Sequence, residues 1–442
     1  MANNIKPSGI EWIGDIPSDW EVKRLGFLFI FGKGLGITKE DLQDEGIPCV
    51  NYGEIHSKYG FEVDPGKNIL RCVDEKYLKI GQNSLLKYGD FVFADTSEDI
   101  EGSGNFTYLN SNGKTFAGYH TIILRAIKEL DHRYIAYIFD SILFRTQIRN
   151  KVWGIKVYSI TKQILKNAKM ILPPPAEQKA IAAFLDTQCS KIDNIITELE
   201  QQIEILKQYK TSLITETVTK GLNKDAPMKD SGIDWIGKIP SHWEMKPIKY
   251  IVESNQRTLK ESTKEDYVFR YIDIGSVNFY NGITNYEEMI FEKAPSRARR
   301  IVRKGDIIIS TVRTYLKAIA HIEEDKDIIV STGFAVLSPK NNESGFIEYY
   351  CKSDIFCSEI EKLSYGIAYP AINESVLVNI KMILPPPSEQ KTIADFLDGK
   401  CKEISSLITE KQKSIDTMKA YKKSLICEYV TGKKRVKATS ST

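Results

Sequence analysis

Two runs of cations, amides and aromatic rings are the parts of this chain best suited to chemistry, and that chemistry is the gripping of a polyanion. Residues 144–158 hold Arg145, Gln147, Arg149, Lys151, Lys156 and Tyr158 without one acid, and Lys162 follows. Further on, Arg297, Arg299, Arg300, Arg303 and Lys304 precede a strand-like run, and Arg313, Thr314, Tyr315 and Lys317 follow it. Arg and Lys neutralise phosphates, whereas Arg, Asn and Gln can read base edges with paired hydrogen bonds. The plain alternative for each run is a solvated helix face or a basic turn.

Catalytic constellations are harder to find. Gly32, Gly34 and Gly36 mimic a phosphate loop but lack the G-x-x-x-x-G-K-[ST] spacing, so a glycine-rich turn is expected. Pro17 and Asp19 with Glu21 and Lys23 spell a loose metal-nuclease pattern, yet the second copy described below has His242 where Asp19 stands. Metal ligation does not survive that exchange. Cys351 and Cys357 read as buried thiols, and Trp12, Trp20, Trp235 and Trp243 as packing residues. No Ser/His/Asp or HExxH arrangement is present.

The elements that would position the cationic runs occur twice. GIEWIGDIPSDWEVKRL at Gly9 returns as GIDWIGKIPSHWEMKPI at Gly232, with 11 identities at an offset of 223. AKMILPPPAEQKAIAAFLD at Ala168 returns as IKMILPPPSEQKTIADFLD at Ile380, with 15 identities at an offset of 212. The chain is a tandem duplication whose copies diverge between these blocks. Each copy predicts a mixed α/β globule with strands at 91–94, 121–125, 307–311 and 334–338 and helices near 135–149 and 347–361. A three-proline run then interrupts regular structure, as at Pro173–Pro175 and Pro385–Pro387.

A long helix is expected after each proline run. Leu185, Ile192, Leu199, Leu206 and Leu213 fall seven apart, and Leu397, Ile404, Lys411, Met418 and Leu425 repeat the pattern. Ile195, Ile196, Ile203 and Tyr209 should thicken the first stripe, and Leu407, Ile408, Ile415 and Tyr421 the second. Such a helix must bury its apolar face, so an antiparallel pairing of the two is predicted, with Lys411 setting register or facing solvent. The alternative is two independent helices, each lying on its own globule. About 45 residues span roughly 65 to 70 Å.

Composition sets wide bounds. The 442 residues allow two to four domains, and 61 basic against 58 acidic residues give no global attraction for a polyanion, so basic surface must be local. No apolar run is long enough for a membrane span, and the opening residues lack a signal-peptide core. Seven scattered cysteines without a CxxC pair and five histidines argue against structural zinc and suit a reducing cytoplasm.

The W-I-G-x-I-P-x-x-W-E segment, GDIIISTVR, and above all LPPPxEQKxIAxFLD followed by K-x-Y-K-x-S-L-I resemble the specificity subunit of type I restriction–modification systems. That resemblance covers essentially the whole chain. It implies an α+β fold with two target recognition domains, at 1–172 and 223–384, each reading one half of an interrupted DNA sequence. It also implies an antiparallel pair of conserved helices, at 173–222 and at 385–442 with its basic tail. Partners would be double-stranded DNA, two methyltransferase subunits and two motor–nuclease subunits, in a prokaryotic, nucleoid-associated cytoplasmic setting without membrane contact. S-adenosylmethionine, ATP and magnesium would belong to those partners, with no cofactor, metal or catalytic residue on this chain. The DNA-facing candidates are then Arg145, Gln147, Arg149, Lys151, Lys156, Tyr158 and Lys162, then Arg297, Arg299, Arg300, Arg313, Thr314, Tyr315 and Lys317, with Thr96, Ser97, Tyr365 and Tyr369. The first copy has residues ADTSED at 94–99 where the second has STVR at 310–313, so no arginine contact carries across, and a non-palindromic target is expected. Two other readings stay open: a coiled-coil adaptor that binds proteins, and a self-contained restriction enzyme with a cryptic site.

Overall fold

A computed structural model describes residues 4–11, 13–154 and 156–436. Trp12 lies outside the described residues, as do Ile155 and Lys437. Contacts group the chain into two compact units, Met1–Thr197 with Ser414–Thr442, and Glu198–Lys413. Each long helix is therefore divided between the units rather than forming a separate segment.

In the first unit the central sheet has five strands in the order Phe29–Phe31, Thr121–Ala126, Phe91–Ala94, Phe106–Leu109 and Phe61–Val63. Its pairings are antiparallel except the last, which is parallel. Phe91, Phe93, Phe106, Phe139 and Phe144 pack into an aromatic core on one face, with Phe91–Phe139 centroids 5.0 Å apart. A three-stranded sheet of Phe116–Ala117, Ile47–Val50 and Cys72–Val73 builds a smaller lobe. Gly34 marks where the two meet: a Cβ there would lie 1.8 Å from the Gly118 carbonyl oxygen. That glycine serves a close backbone approach rather than the expected turn, since the amides of Gly32, Gly34 and Leu35 donate in succession to Ile123, Thr121 and Ala117.

The second unit carries two four-stranded sheets. One runs Val252–Ser254, Phe334–Pro339, Ile307–Ser310 and Ile319–His321; the other runs Glu287–Ile290, Val268–Ile272, Ile328–Ser331 and Ala298–Ile301. The strands expected at 91–94, 121–125, 307–311 and 334–338 are all present within one residue at their ends.

Each helix expected near 135–149 and 347–361 is instead two helices with a sharp break. His132–Asp140 gives way to Ile142–Arg149 at Ser141, and Ser344–Cys351 to Asp354–Leu363 at Ser353. In both, the serine is extended and its hydroxyl accepts from the amide of Phe144 or Phe356. It also donates backward to Ile138 or Tyr350 at 2.6 Å, so one side chain closes one helix and caps the next.

The duplicated motif around the prolines proves to be a clamp. Short antiparallel ladders join Glu21–Arg24 to Lys169–Leu172 and Glu244–Pro247 to Lys381–Leu384. The long helices Pro175–Lys220 and Pro387–Val430 begin on the third proline, where the missing N–H costs nothing. Trp20 and Trp243 are fully buried, and their indole N–H groups donate to Glu177 (3.0 Å) and Glu389 (2.9 Å). Gln178 and Gln390, also buried, donate to the carbonyls of Pro173 and Pro385 at 2.9 Å and accept from the backbone of Asp131 and Glu343. Replacing Gln390 with Leu leaves the buried Pro385 carbonyl and the half-buried Glu343 N–H without this partner and should cost about 1–3 kcal/mol. Urea unfolding followed by tryptophan fluorescence measures it; an unshifted midpoint would remove the clamp role.

Helix pairing is antiparallel in each unit taken by itself. In the first, Phe184 meets Tyr429 (centroids 4.4 Å) and Asp193 pairs with Lys422 at 2.7 Å. In the second, Gln202 accepts from Lys411 at 2.6 Å and Ser405 from Lys210 at 2.9 Å. Lys411 thus makes a polar contact across the seam. Every expected seam residue is buried or half-buried. The flanking set needs correction: Ile196, Ile203, Ile408 and Ile415 face the seam, but Ile195, Tyr209, Leu407 and Tyr421 are exposed. Buried and half-buried positions advance by four and then three (185, 189, 192, 196, 199, 203), and the four exposed residues stand three past a seam leucine, isoleucine or methionine, one step off the face.

Candidate nucleic-acid interface

Both units build the same ridge from unrelated residues. In the second, the chain leaves the strand Ile307–Ser310 and passes through Arg313 and Lys317 in left-handed backbone, at φ +52° and +46°. Non-glycine residues held there cost free energy that the fold must recover elsewhere, and they concentrate at functional sites. A second segment, after the helix Asp354–Leu363, is stapled beside them. Tyr365 and Ala371 exchange two backbone hydrogen bonds of 2.9 Å, Thr314 N donates to Pro370 O at 3.2 Å, and Ile372 N to Thr311 O at 2.8 Å. The Arg313 guanidinium lies 5.4 Å from the Tyr369 ring centroid, a cation–π contact that fixes its direction. Tyr315, Tyr365 and Tyr369 are exposed around it.

The first unit repeats the plan. Thr96–Ser97 pairs with Tyr158–Ser159, Trp153 bridges Ser159, and Ile160 N donates to Asp95 O at 2.8 Å. His120 takes the left-handed conformation here, at φ +55°, and its imidazole contacts Asp95 at 3.1 Å. His56 bonds the Thr96 carbonyl at 2.8 Å and the Asn105 amide at 2.8 Å. The two ridges share backbone and differ in chemistry: carboxylate, imidazole and hydroxyl in the first, guanidinium and ammonium in the second.

The sequence candidates divide accordingly. Thr96 and Tyr158 meet on the first ridge, with Lys151 and Lys156 exposed beside them. Arg313, Tyr315, Lys317, Tyr365 and Tyr369 meet on the second. Exposed Arg297 adjoins them, since its carbonyl accepts from Thr332 next to Gly333, which in turn accepts from Thr311. Burial opposes the Lys317 charge, but Cys357 and the Glu361 carboxylate 3.3 Å away outweigh it and hold its pKa above the ordinary lysine value.

Other candidates are committed to the fold. Both amide atoms of Gln147 bond the Lys169 backbone at 2.9 Å, which ties the side chain to the fold. Arg145 is held by Asn105 and by Asp140 at 3.0 Å, and Arg149 by the Glu101 carbonyl. Burial, and then Arg145, lower the Arg149 pKa. Ser97 and Thr314 are buried. Arg299 stacks on Phe291 at 4.9 Å, Arg300 reaches the Asn255 carbonyl, and Lys162 is half-buried in the first turn of its helix. Reading residue types missed Asp95, His120, His56 and Asn105, because they are joined by tertiary hydrogen bonds, and in His120 by left-handed backbone, that types do not announce.

The discarded nuclease pattern also has a structural account. Asp19 and Glu177 both accept from Arg435, at 2.9 and 2.7 Å, while Glu21 pairs with Lys23. Arg435 and Lys434 of the basic tail are therefore docked, Lys434 on Glu428. In the second unit His242 contacts Glu389 directly at 2.7 Å. Among the described residues no group of three His, Cys, Asp or Glu side chains is placed to hold a metal ion, and no helix is long and apolar enough to cross a membrane.

Comparison with known proteins gives the same division. A family profile described as the type I restriction modification DNA specificity domain matches twice, over residues 17–205 and 240–417. The chain belongs to this family. Its type I specificity relatives include the MjaVIII specificity subunit of Methanocaldococcus jannaschii, 26% identical across 96% of this chain and 94% of that protein. A putative MjaX specificity subunit from the same organism is 29% identical across 96% of each. Among solved structures, a chain from a type I R-M system studied for complex assembly and conformational transition aligns with a TM-score of 0.67. It is 16% identical and covers 94% of this chain and 99% of its own. The HsdS subunit from Thermoanaerobacter tengcongensis aligns at 0.50, with 17% identity over 94% and 98%. The two profile matches coincide with the two copies, so the type I specificity fold here is the expected α+β duplication. The ridges lie in the stretch where its copies diverge.

Proposed function

We propose that this chain is the non-catalytic reader of a type I restriction–modification complex, recognising a bipartite, asymmetric DNA sequence. Methyl transfer to adenine N6 and DNA cleavage fall to partner subunits, two methyltransferases and two motor–nucleases, which handle S-adenosylmethionine, ATP and magnesium. The target adenine would be flipped into a partner's pocket. Such a complex works on the nucleoid in a prokaryotic cytoplasm.

One observation carries the reading: two ridges on the same backbone plan present opposite hydrogen-bonding chemistry. Arg313 and Lys317 offer donors, which suit guanine O6 and N7; Asp95 and Thr96 offer acceptors, which suit the exocyclic amines of cytosine or adenine. A protein adaptor would have no use for that contrast. The two half-sites should accordingly differ.

The test is to express the chain with its methyltransferase subunit and sequence the methylated adenines. An interrupted, non-palindromic motif is expected, with duplex binding that weakens steeply as salt rises. No duplex affinity in the assembled complex would favour the adaptor. Within that assay, Arg313→Ala should relax one position of one half-site by about 1–3 kcal/mol of discrimination and leave the other half-site unchanged. Relaxation in both halves would refute the assignment of one ridge to one half-site.

A further inference from the structure

The first ridge holds two histidines, and the fold uses up only one of them. His56 has both ring nitrogens engaged, Nε2 with the Thr96 carbonyl and Nδ1 with the Asn105 amide. His120 engages Nδ1 alone, 3.1 Å from Asp95 Oδ1 and 3.3 Å from the Thr96 hydroxyl oxygen. Thr96 spends its own hydroxyl proton on the same Asp95 Oδ1, at 2.7 Å. Asp95 Oδ2 and His120 Nε2 have no partner among the described residues. The His120 side chain is 56% exposed, yet its direction is set: the Tyr52 and Tyr119 rings stand steeply to it, with centroids 5.4 and 5.9 Å away.

Backbone geometry singles out the same residue. Asp95 N donates to the His120 carbonyl at 3.0 Å, just as Thr311 N donates to the Gly333 carbonyl at 2.8 Å on the second ridge. A glycine thus holds the place of His120 in the other copy. At φ +55° a histidine is strained and a glycine would not be. The first unit carries that strain and gains an imidazole standing on its ridge.

We propose that His120 determines base specificity in one half-site, acting with Asp95 as a pair of acceptors that selects two adjacent amino bases, adenine or cytosine, on one strand. The inference rests on the DNA-reading function proposed above. Nδ1–H donates to the Asp95 carboxylate, which fixes the tautomer and leaves a lone pair on Nε2. Asp95 Oδ2 supplies the second acceptor. In the major groove adenine and cytosine show an exocyclic amine, whereas thymine and guanine show a carbonyl oxygen. An acceptor therefore gains a hydrogen bond from an amino base and is repelled by a keto base. One imidazole and one 3.1 Å contact separate the two acceptors, a spacing on the scale of the roughly 3.4 Å between stacked bases. Tyr52, Tyr119 and Thr96 hold both groups before DNA arrives, so little ordering opposes binding. No bond is made or broken by this chain.

The experiment uses the chain assembled with its methyltransferase subunit and duplexes carrying its methylated motif, with each base pair of both half-sites replaced in turn and Kd measured. For the unaltered complex, one half-site should contain two adjacent amino bases on one strand. Exchanging either for a keto base should weaken binding about tenfold or more, as for the loss of a base-edge contact. His120→Gly should erase that discrimination at one of the two positions and leave the other half-site untouched. It should also leave the first unit's urea midpoint unchanged or raise it, because glycine relieves the left-handed strain. A merely supporting imidazole requires the reverse, a lowered midpoint with every position weakened alike. His120→Asn tolerates the same backbone and carries both a carbonyl and an amine, so it should accept amino and keto bases equally at that position. The assignment is overturned if neither half-site holds adjacent amino bases, or if both variants keep the full discrimination; in either case the reader stands. Failure of the unaltered complex to bind any duplex sinks the reading beneath it.

Discussion

Ending the chain at Lys413 will unfold the first unit and leave the second folded. Leu425, Ile426 and Val430 are buried in the core that holds Trp20, Leu185 and Ile192, and the Tyr134 hydroxyl donates to the Val430 carbonyl at 3.4 Å. Thr431 is buried as well, and a Cβ on Gly432 would meet the Pro17 ring at 2.5 Å. Burying an aliphatic side chain of this size is worth about 1.5–3 kcal/mol. Three of them approach the whole stability of an ordinary domain, about 5–15 kcal/mol, before Arg435 and its two carboxylates are counted. The second unit has its own core, in which Ile214 and Val218 pack with Trp243 and Leu397, and no residue beyond Lys413 belongs to it. Hydrogen exchange read by peptide should show protection lost across residues 13–197 and retained across 198–413. Retained protection in the first stretch would mean that the second long helix is an accessory. The milder Leu425→Ala should cost about 2–5 kcal/mol and identifies the same unit as the one affected.

The second large effect concerns spacing. Adding one heptad to each long helix, after Leu199 and after Lys411, should shift the gap in the methylated motif by about three base pairs while both specified halves persist. Seven residues lengthen a helix by about 10.5 Å, and a turn of duplex of roughly 34 to 36 Å holds about ten pairs. Whole heptads keep the four-then-three seam in phase, so Ile192, Ile203, Ile404 and Ile415 stay buried. Methylome sequencing gives the answer directly. A complex that still methylates at the original gap would show that the helices do not set the distance between half-sites. An insertion in one helix alone breaks the register that Asp193–Lys422 and Gln202–Lys411 mark, and should abolish methylation.

Legibility of the fold followed the type of signal. Strands such as Phe91–Ala94 and Ile307–Ser310 are short apolar runs ending at turn residues, and a pattern of types reveals them. The breaks at Ser141 and Ser353 were harder, because a serine inside an apolar stretch is a cap only if the backbone turns there. The same holds for Ile195, Tyr209, Leu407 and Tyr421: they belong to the helical stripe by type, and only the packed seam places them one step off it. Gln147 and Arg145 were misread for a related reason. Their side chains suit bases, yet the fold supplies nearer partners that hold them in place.

By itself the sequence determined the duplication, the α+β plan, the paired long helices and the absence of any catalytic pattern. These follow from periodicity and repetition, which are properties of order along the chain. Tertiary structure alone decided that Trp, Glu and Gln of the repeated motif form one clamp, and that the second helix completes the first unit. It also brought residues 95–97 and 153–159 into one ridge, and 311–317 and 364–372 into another. Those juxtapositions join positions 50 to 400 residues apart through hydrogen bonds, burial and left-handed backbone, and such terms come into being only once the chain is packed.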